Sequence, residues 1–292
     1  DWSSDVCSSD LLDRRAQWEA TQLATYQARG QHPPTNWRAK YKPPTPPDPT
    51  NLPTLPEGWC WASVEQLAEI VSGKTPKGVD EVLRPDGAIP WFRVSDMNTP
   101  GNERTMQSWE QGLSRETASA LGLQPQPGGT IIFPKRGGAI ATNKRRQLAA
   151  PSCYDLNTMG FVPSNGMGRY LWHWFGTVDL RSLSDGSNVP QINHGDIMPL
   201  LVPLAPEPEQ AAICDEVDRL LDVFGHAELL VKASTARAAR LRQSILKHAF
   251  EGKLVPQDPT DEPADALLAR IATERRAAAP KARPRRGRGD QP

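Results

Sequence analysis

From Ile213 onward, apolar positions recur at alternating steps of four and three: Ile213, Val217, Leu220, Phe224, Ala227, Val231, Ser234, Ala238, Leu241 and Ile245. Only Ser234 among the ten is polar, which predicts a coiled-coil seam rather than chance amphipathicity. The helix carrying it starts near Pro208, with Glu209 in the first turn, where the helix dipole favours an acid. It closes over 240–257, RLRQSILKHAFEGKLVPQ, where Leu241, Ile245 and Ala249 share a stripe and Gly252 is the expected stop. Gly225, just off the seam, costs about 1 kcal/mol of helix propensity and permits a local bend. At 1.5 Å per residue such a helix spans roughly 60 Å, and it needs a partner along its length. Residues 11–29 form a second predicted helix, with Leu12, Ala16, Leu23 and Tyr26 on one side, Gly30 as stop and Pro33-Pro34 blocking continuation. It covers only part of the seam, so the remainder must meet another subunit or a missing segment. A third, short helix is expected over 264–279, with Leu267, Leu268 and Ile271 apolar.

Between the helical regions the texture changes. Residues 31–56 are Pro-rich and read as a stiff, extended connector lying along something, because Trp37 and Tyr41 would otherwise leave apolar area in water. From 57 to 205, short apolar segments alternate with Gly, Pro, Asn and Asp. Strands are expected at 89–94, 130–133, 159–162 and 197–202, and short helices at 63–70, 115–121 and 168–175. The fold class is therefore α+β: one mixed α/β domain of about 150 residues, flanked by long coiled-coil-forming helices. Within it, Trp59, Trp61, Trp91, Trp172 and Trp174 are assigned to the core rather than to base stacking.

Composition narrows the function. The 292 residues suffice for one large or two ordinary domains, and the formal charge is zero. Residues 57–205 hold 13 Lys/Arg against 14 Asp/Glu, so any surface for nucleic acid is local. The four cysteines, Cys7, Cys60, Cys153 and Cys214, lie far apart with no ligand spacing, which reads as thiols in a reducing cytoplasm rather than a zinc site. No apolar run is long enough to span a membrane. Residues 1–11, DWSSDVCSSDL, have no signal-peptide pattern and read as a non-native stretch such as a translated sequencing adapter. The tail 280–292, with Lys281, Arg283, Arg285, Arg286 and Arg288, reads as a solvated basic segment that adds non-specific DNA affinity.

Catalytic signatures are missing from the sequence. It has no Asn-Pro-Pro-aromatic motif of an adenine methyltransferase, no Gly-x-Gly-x-x-Gly and no P-loop. Pro85-Asp86 with Glu251-Gly-Lys253 formally spells a nuclease set, but the halves fall in different regions and the second is the helix end. His32, His173, His194, His226 and His248 have no carboxylate at a spacing that suggests a base. By elimination this is a binding protein.

Three segments together resemble the DNA-specificity subunit of type I restriction-modification enzymes. The first runs over 12–61: Arg14-Arg15-Ala16, Trp18-Glu19, Lys40-Tyr41, then Leu55-Pro56-Glu57-Gly58-Trp59-Cys60-Trp61. The second, over 202–213 (VPLAPEPEQAAI), is similar to the family's Pro-Leu-Pro-Pro-x-x-Glu-Gln-x-x-Ile helix entry, with Ala205 in place of the first of two prolines. The third is 240–257, continued through Asp261-Glu262-Pro263-Ala264 and Leu267-Leu268. The resemblance covers about 12–276. It implies a partial central spacer helix at 12–30, the connector at 31–56 and a target-recognition domain at 57–205. A distal spacer helix comes next at 206–255, with a short helical segment at 256–279.

The family's complete subunit has two recognition domains separated by two antiparallel helices. Each domain reads one half of a bipartite site. Two methyltransferase subunits and a motor-nuclease subunit join it, and those partners, not this subunit, use S-adenosylmethionine, ATP and Mg. On this view the chain is a non-catalytic, cytoplasmic binder of duplex DNA with no membrane association. It is expected to be a gene fragment or, alternatively, a half-subunit that self-associates. The rivals are the specificity portion of a fused restriction-methylation polypeptide and a coiled-coil scaffold whose middle domain binds protein.

Base readout needs two-point donors and acceptors such as Arg, Asn and Gln, whereas phosphate contact needs Lys, Arg and hydroxyls on loops. Four segments offer them. Lys74, Thr75 and Lys77 lie on a Gly/Pro loop. Arg93 and Ser95 leave a strand, where Arg93 could equally pair with Asp96. Lys135, Arg136, Asn143, Lys144, Arg145 and Arg146 occupy a 12-residue window with five cations and no acid, which makes it the best candidate. Ser187, Asn188, Gln191 and Asn193 lie between turn signals and suit base readout, or satisfy their own turn backbone.

Overall fold

The computed structural model describes residues 15–278 except 17, 21, 25, 28, 29, 45 and 165. The segments 1–11 and 280–292 therefore lie outside the described residues. The chain divides into two units, Asp1–Leu221 and Asp222–Pro292.

The first unit begins with helical backbone among the described residues of 15–27. Gly30, at φ +63°, ends it: Gly30 N–H donates to Gln27 O and Gln31 N–H to Tyr26 O, the paired bonds of a Schellman stop. The connector folds back on this helix. Trp18 stacks on Trp37 at 5.7 Å and meets Tyr41 at 5.4 Å. Arg38 lies over Trp37 and donates to Glu19 at 3.0 Å. Trp37 is buried, so the aromatic area that the connector carries is covered by the helix before it.

The mixed domain contains three sheets. Strand β1 (Cys60–Ser63) pairs antiparallel with β10 (Leu201–Leu204), from Cys60 opposite Leu204 to Ser63 opposite Leu201. A five-stranded sheet has the order β2 (Ala68–Ser72), β9 (Thr158–Pro163), β6 (Ile131–Pro134), β7 (Arg146–Leu148), β4 (Thr105–Met106). Its β4–β7 pair is parallel and the others are antiparallel. A three-stranded sheet has β3 (Ile89–Phe92) between β5 (Gly112–Leu113) and β8 (Cys153–Tyr154).

All four residues of β6 are buried, and successive side chains point to opposite faces. Ile131 and Phe133 enter the larger core, where Phe133 and Phe161 pack edge-on against Phe175 at 5.2 and 4.8 Å. Ile132 enters a second core with Phe92, Met97, Met106, Leu148 and Tyr154. A third cluster gathers Val79, Leu83, Ile89, Trp91 and Leu113.

Two expected elements differ. The helix expected over 63–70 stops at Leu67 and continues as β2, because Ile70 and Val71 are β-branched and the edge of β9 satisfies five residues of backbone. The strand expected over 197–202 begins only at Leu201, since a capping box between Asn193 and Asp196 nucleates a helical turn, His194–Ile197. Of the five tryptophans assigned to the core only Trp91 is fully buried. Trp59 and Trp61 are half-exposed and use their indole N–H groups on Glu209 and on Pro53 O, each at 3.0 Å.

The first turns of the helix Glu207–Phe250 are fastened to this domain. Arg169 bridges Asp215 at 2.6 Å and Asp218 at 2.7 Å, while Arg104 and His173 reach Asp218 at 3.3 Å. Cys214 and Ile213 pack into the larger core. Burial would raise the Asp218 carboxyl, but the Arg169 hydrogen bond and the charges of His173, Arg104 and Arg169 outweigh it and hold it below the usual carboxylate range.

In the second unit the helix continues to Phe250 through Gly225. Gly252, at φ +69°, caps it: Gly252 N–H donates to Ala249 O and Lys253 N–H to His248 O. Along the seam, Leu220, Phe224, Val231, Leu241 and Ile245 are exposed within the single chain. A separate helix, Ala264–Ala278, has none of its residues buried.

Candidate nucleic-acid interface

Two of the four candidate segments meet. The turn after β6 lies beside residues 190–193: Gly137 N–H donates to Pro190 O, and Ile192 N–H donates to Lys135 O. The Arg136 guanidinium forks onto Gln191 Oε1 at 3.1 and 2.8 Å, and Gln191 Nε2 donates to Asn193 Oδ1 at 2.7 Å. The result is a row of one guanidinium and two amides on the surface, the groups that make two-point contacts to base edges.

The end of β2 joins the same cluster. Lys135 Nζ donates to Ser72 Oγ at 3.0 Å, and Ser72 Oγ lies 3.0 Å from His194 Nε2. Burial and the Arg136 charge lower the Lys135 amine, outweighing Asp155. The His194 imidazole is lowered by desolvation on its packed side and by Lys135, although its residue surface is largely accessible. Ser72 opens the 72–78 Gly/Pro loop whose hydroxyls suit phosphate contact, whereas His194 is not legible as a site residue from sequence, because it matters only through Ser72, 122 positions away.

Close by, the 73–78 loop is pinned by Lys74 N–H to Tyr154 O, and Thr75 Oγ1 accepts Leu156 N–H at 3.0 Å. A Cβ on Gly73 would lie 1.9 Å from Asp155 O, so only glycine lets the loop approach. Lys74 and Lys77 are exposed and enter no ion pair among the described residues.

The remaining candidates serve the fold in part. Arg93 pairs with Asp80 at 2.6 Å, while its backbone N–H, not its side chain, meets Asp96. Ser95 donates to Asp96 at 3.3 Å. Asn143 adopts the left-handed conformation (φ +53°) and its Oδ1 accepts Leu180 N–H at 2.9 Å. Arg145 sits over the Phe175 ring at 4.8 Å and donates to Asn143 O and Val178 O. Arg146 donates to Arg145 O and Met97 O. Burial lowers both guanidiniums. Lys144 donates to Asn98 Oδ1. Ser187 is bound to Asp185 and to Val189 O, whereas Asn188 is exposed at the loop tip.

Charge pairing sorts these groups. Arg93, Arg104, Arg169 and Arg181 each face a carboxylate. Lys135 and Arg136 have neutral hydrogen-bond partners and no ion pair among the described residues, Asp155 acting on Lys135 through its charge alone, and they lie together. No group of three or more His, Cys, Asp and Glu among the described residues is placed to hold a metal ion, and no helix there is long and apolar enough to cross a membrane.

Fold and surface together define an α+β domain with a polar, cation-bearing loop cluster, fastened to the start of a long helix. No family model matches the chain. It is similar to the specificity subunit of the type I restriction enzyme EcoKI from Escherichia coli K12, 36% identical over 229 residues covering 75% of this chain and 48% of that protein. It is 31% identical over 210 residues to the StySPI specificity subunit of Salmonella potsdam, covering 68% and 44%. Similarity to the EcoDI specificity subunit of Escherichia coli is 26% over 247 residues, covering 79% and 52%. Among solved structures, a chain of a type I restriction-modification assembly superposes with a TM-score of 0.58 at 17% identity, over 84% of this chain and 56% of that one. The HsdS subunit of Thermoanaerobacter tengcongensis superposes with a TM-score of 0.52 at 19% identity, over 70% and 48%. The chain belongs to the specificity-subunit family of type I restriction-modification enzymes. It spans about half the length of the curated relatives it matches.

Proposed function

We propose that this chain supplies sequence-specific recognition of duplex DNA within a type I restriction-modification enzyme. The 57–205 domain reads one half of a bipartite site, and the 206–255 helix sets where that domain lies. The single observation that carries this is the row Arg136, Gln191 and Asn193, assembled from two segments 55 residues apart and placed beside Lys135, with no carboxylate paired to either cation among the described residues. Adenine methylation and cleavage belong to partners: two methyltransferase subunits and a motor-nuclease subunit, which use S-adenosylmethionine, ATP and Mg. The exposed seam residues, Phe224, Val231, Leu241 and Ile245, are the surface on which a partner helix packs.

The test is methylation mapping in a host that carries the methyltransferase subunits with this chain in its complete subunit. The expected result is one bipartite adenine-methylated site whose half-site preference changes with Arg136→Ala. Methylation at no site, or an unchanged preference in this variant, overturns the assignment of that row to readout.

A further inference from the structure

Lys135, Ser72 and His194 form a directed chain, because an ammonium only donates and a hydroxyl does both. Lys135 Nζ gives a hydrogen to Ser72 Oγ at 3.0 Å, and Ser72 Oγ lies 3.0 Å from His194 Nε2. With the ring neutral and Nε2 unprotonated, the Ser72 hydroxyl hydrogen closes the chain onto His194. Protonating that nitrogen would turn the Ser72–His194 bond around and place a second cation beside Lys135. The lowered values of both groups agree with this arrangement.

The segments that meet at this cluster carry charged groups on four elements. Lys135 and Arg136 lie on the turn after β6. Asp155 lies on the β8–β9 turn, where it is occupied by Thr158 and Asn157. Asp196, on the helical turn of His194 itself, accepts Asn193 N–H. Asp185 accepts the backbone N–H of Gln191 and bonds Ser187. Each carboxylate accepts hydrogen bonds from other groups, and Lys135 is the charge that acts on the ring. An anion is the species that would complete the site.

We propose that these three side chains are a proton-coupled clamp for one backbone phosphodiester of duplex DNA. A phosphate oxygen accepts from Lys135 and from the Ser72 hydroxyl, and His194, released from Ser72, takes up a proton from solvent and donates Nε2–H to the same phosphate. This rests on the DNA-recognition reading and adds its pH dependence. Because the bound state holds the histidine proton more tightly than the free state, affinity rises as pH falls through the histidine range. One proton limits the gain to about tenfold per pH unit.

The experiment measures binding of the full chain to a mixed-sequence duplex at low salt, across roughly pH 5 to 8. Wild type should tighten several-fold as pH falls. His194→Gln should give a flat profile, and Ser72→Ala should bind more weakly throughout with a reduced slope. Ring NMR of His194 in the unaltered protein gives an independent reading: its titration midpoint should move up when duplex is added. DNA binding with equal pH slopes in wild type and His194→Gln, or an unmoved midpoint, overturns the clamp and leaves the recognition reading standing. No DNA binding at any pH overturns the recognition reading. A midpoint moved equally by inorganic phosphate, without DNA binding, overturns the duplex as the ligand.

Discussion

The two ends of one cationic stretch behave differently. At one end, Lys135 and Arg136 lie on a turn with neutral hydrogen-bond partners, Lys135 half-buried and Arg136 exposed. At the other, Arg145 and Arg146 are half-buried, with their guanidiniums spent on Asn143 O, Val178 O, Arg145 O and Met97 O, and with Phe175 beneath Arg145. A count of charges along the chain treats these residues alike. The local backbone sets them apart: a glycine turn comes directly after Arg136, whereas Arg146 opens the strand β7. A cation that closes carbonyl groups inside a fold contributes stability, while one left facing neutral groups is available to a ligand.

Substitutions at the two ends should separate these roles. Arg145→Ala has the largest expected effect, a loss of about 2–3 kcal/mol of folding stability from the orphaned carbonyls and the lost ring contact. Thermal or denaturant unfolding reads it, and an unchanged midpoint would return Arg145 to the surface class. Arg136→Ala should leave folding stability within about 0.5 kcal/mol and instead lower cognate-site binding by about 1–3 kcal/mol. Equal loss on cognate and scrambled duplexes would reassign it from bases to phosphate. Lys144, which meets Asn98 between the two ends, should on replacement by Ala weaken binding uniformly and reduce the salt slope by about one. An unaltered slope refutes its phosphate role.

The smallest effect belongs away from the stretch. Asp218 is ionised more readily in the fold than in the unfolded chain, so its contribution is present above the ordinary carboxylate range and lost as pH falls through the lowered value. Asp218→Asn should therefore reduce stability at neutral pH by about 1 kcal/mol or less, with the difference from wild type shrinking in acid. A pH-independent difference would mean that packing, not charge, holds the helix start.

Legibility in the sequence depends on distance along the chain. Gly30 and Gly252 are readable as helix stops because a Schellman cap is built from neighbours. The strands Ile89–Phe92, Ile131–Pro134 and Thr158–Pro163 are readable, to within two residues at their ends, from the apolar runs at 89–94, 130–133 and 159–162. Residues 63–70 mislead because a capping box truly begins a helix at Val64, and only the edge of β9, some ninety positions later, converts the rest to strand. The same limit applies to the site. Arg136 is identifiable as a cation, and Gln191 as an amide in a turn. Their contact depends on the 190–193 segment lying against the turn after β6, which no local pattern encodes. Asn143 is a sound choice by chemistry, but its positive φ and its bond to Leu180 commit it to the turn.

The ribbon formed by β1 and β10 has a further consequence. It puts Cys60 opposite Leu204, so nearly all of the mixed domain is one excursion that leaves and rejoins the chain at a single place. Loops inside such an excursion are free to lengthen, shorten or be replaced wholesale, provided the ribbon keeps its register. Exchanging everything between Ser63 and Leu201 for a foreign domain closed by the same four-residue pairing should preserve the junction with the Glu207–Phe250 helix when the new domain again offers cations to Asp215 and Asp218, as Arg104, Arg169 and His173 do here, and an apolar seat for Ile213 and Cys214. The surface presented would then change while its mounting stayed the same.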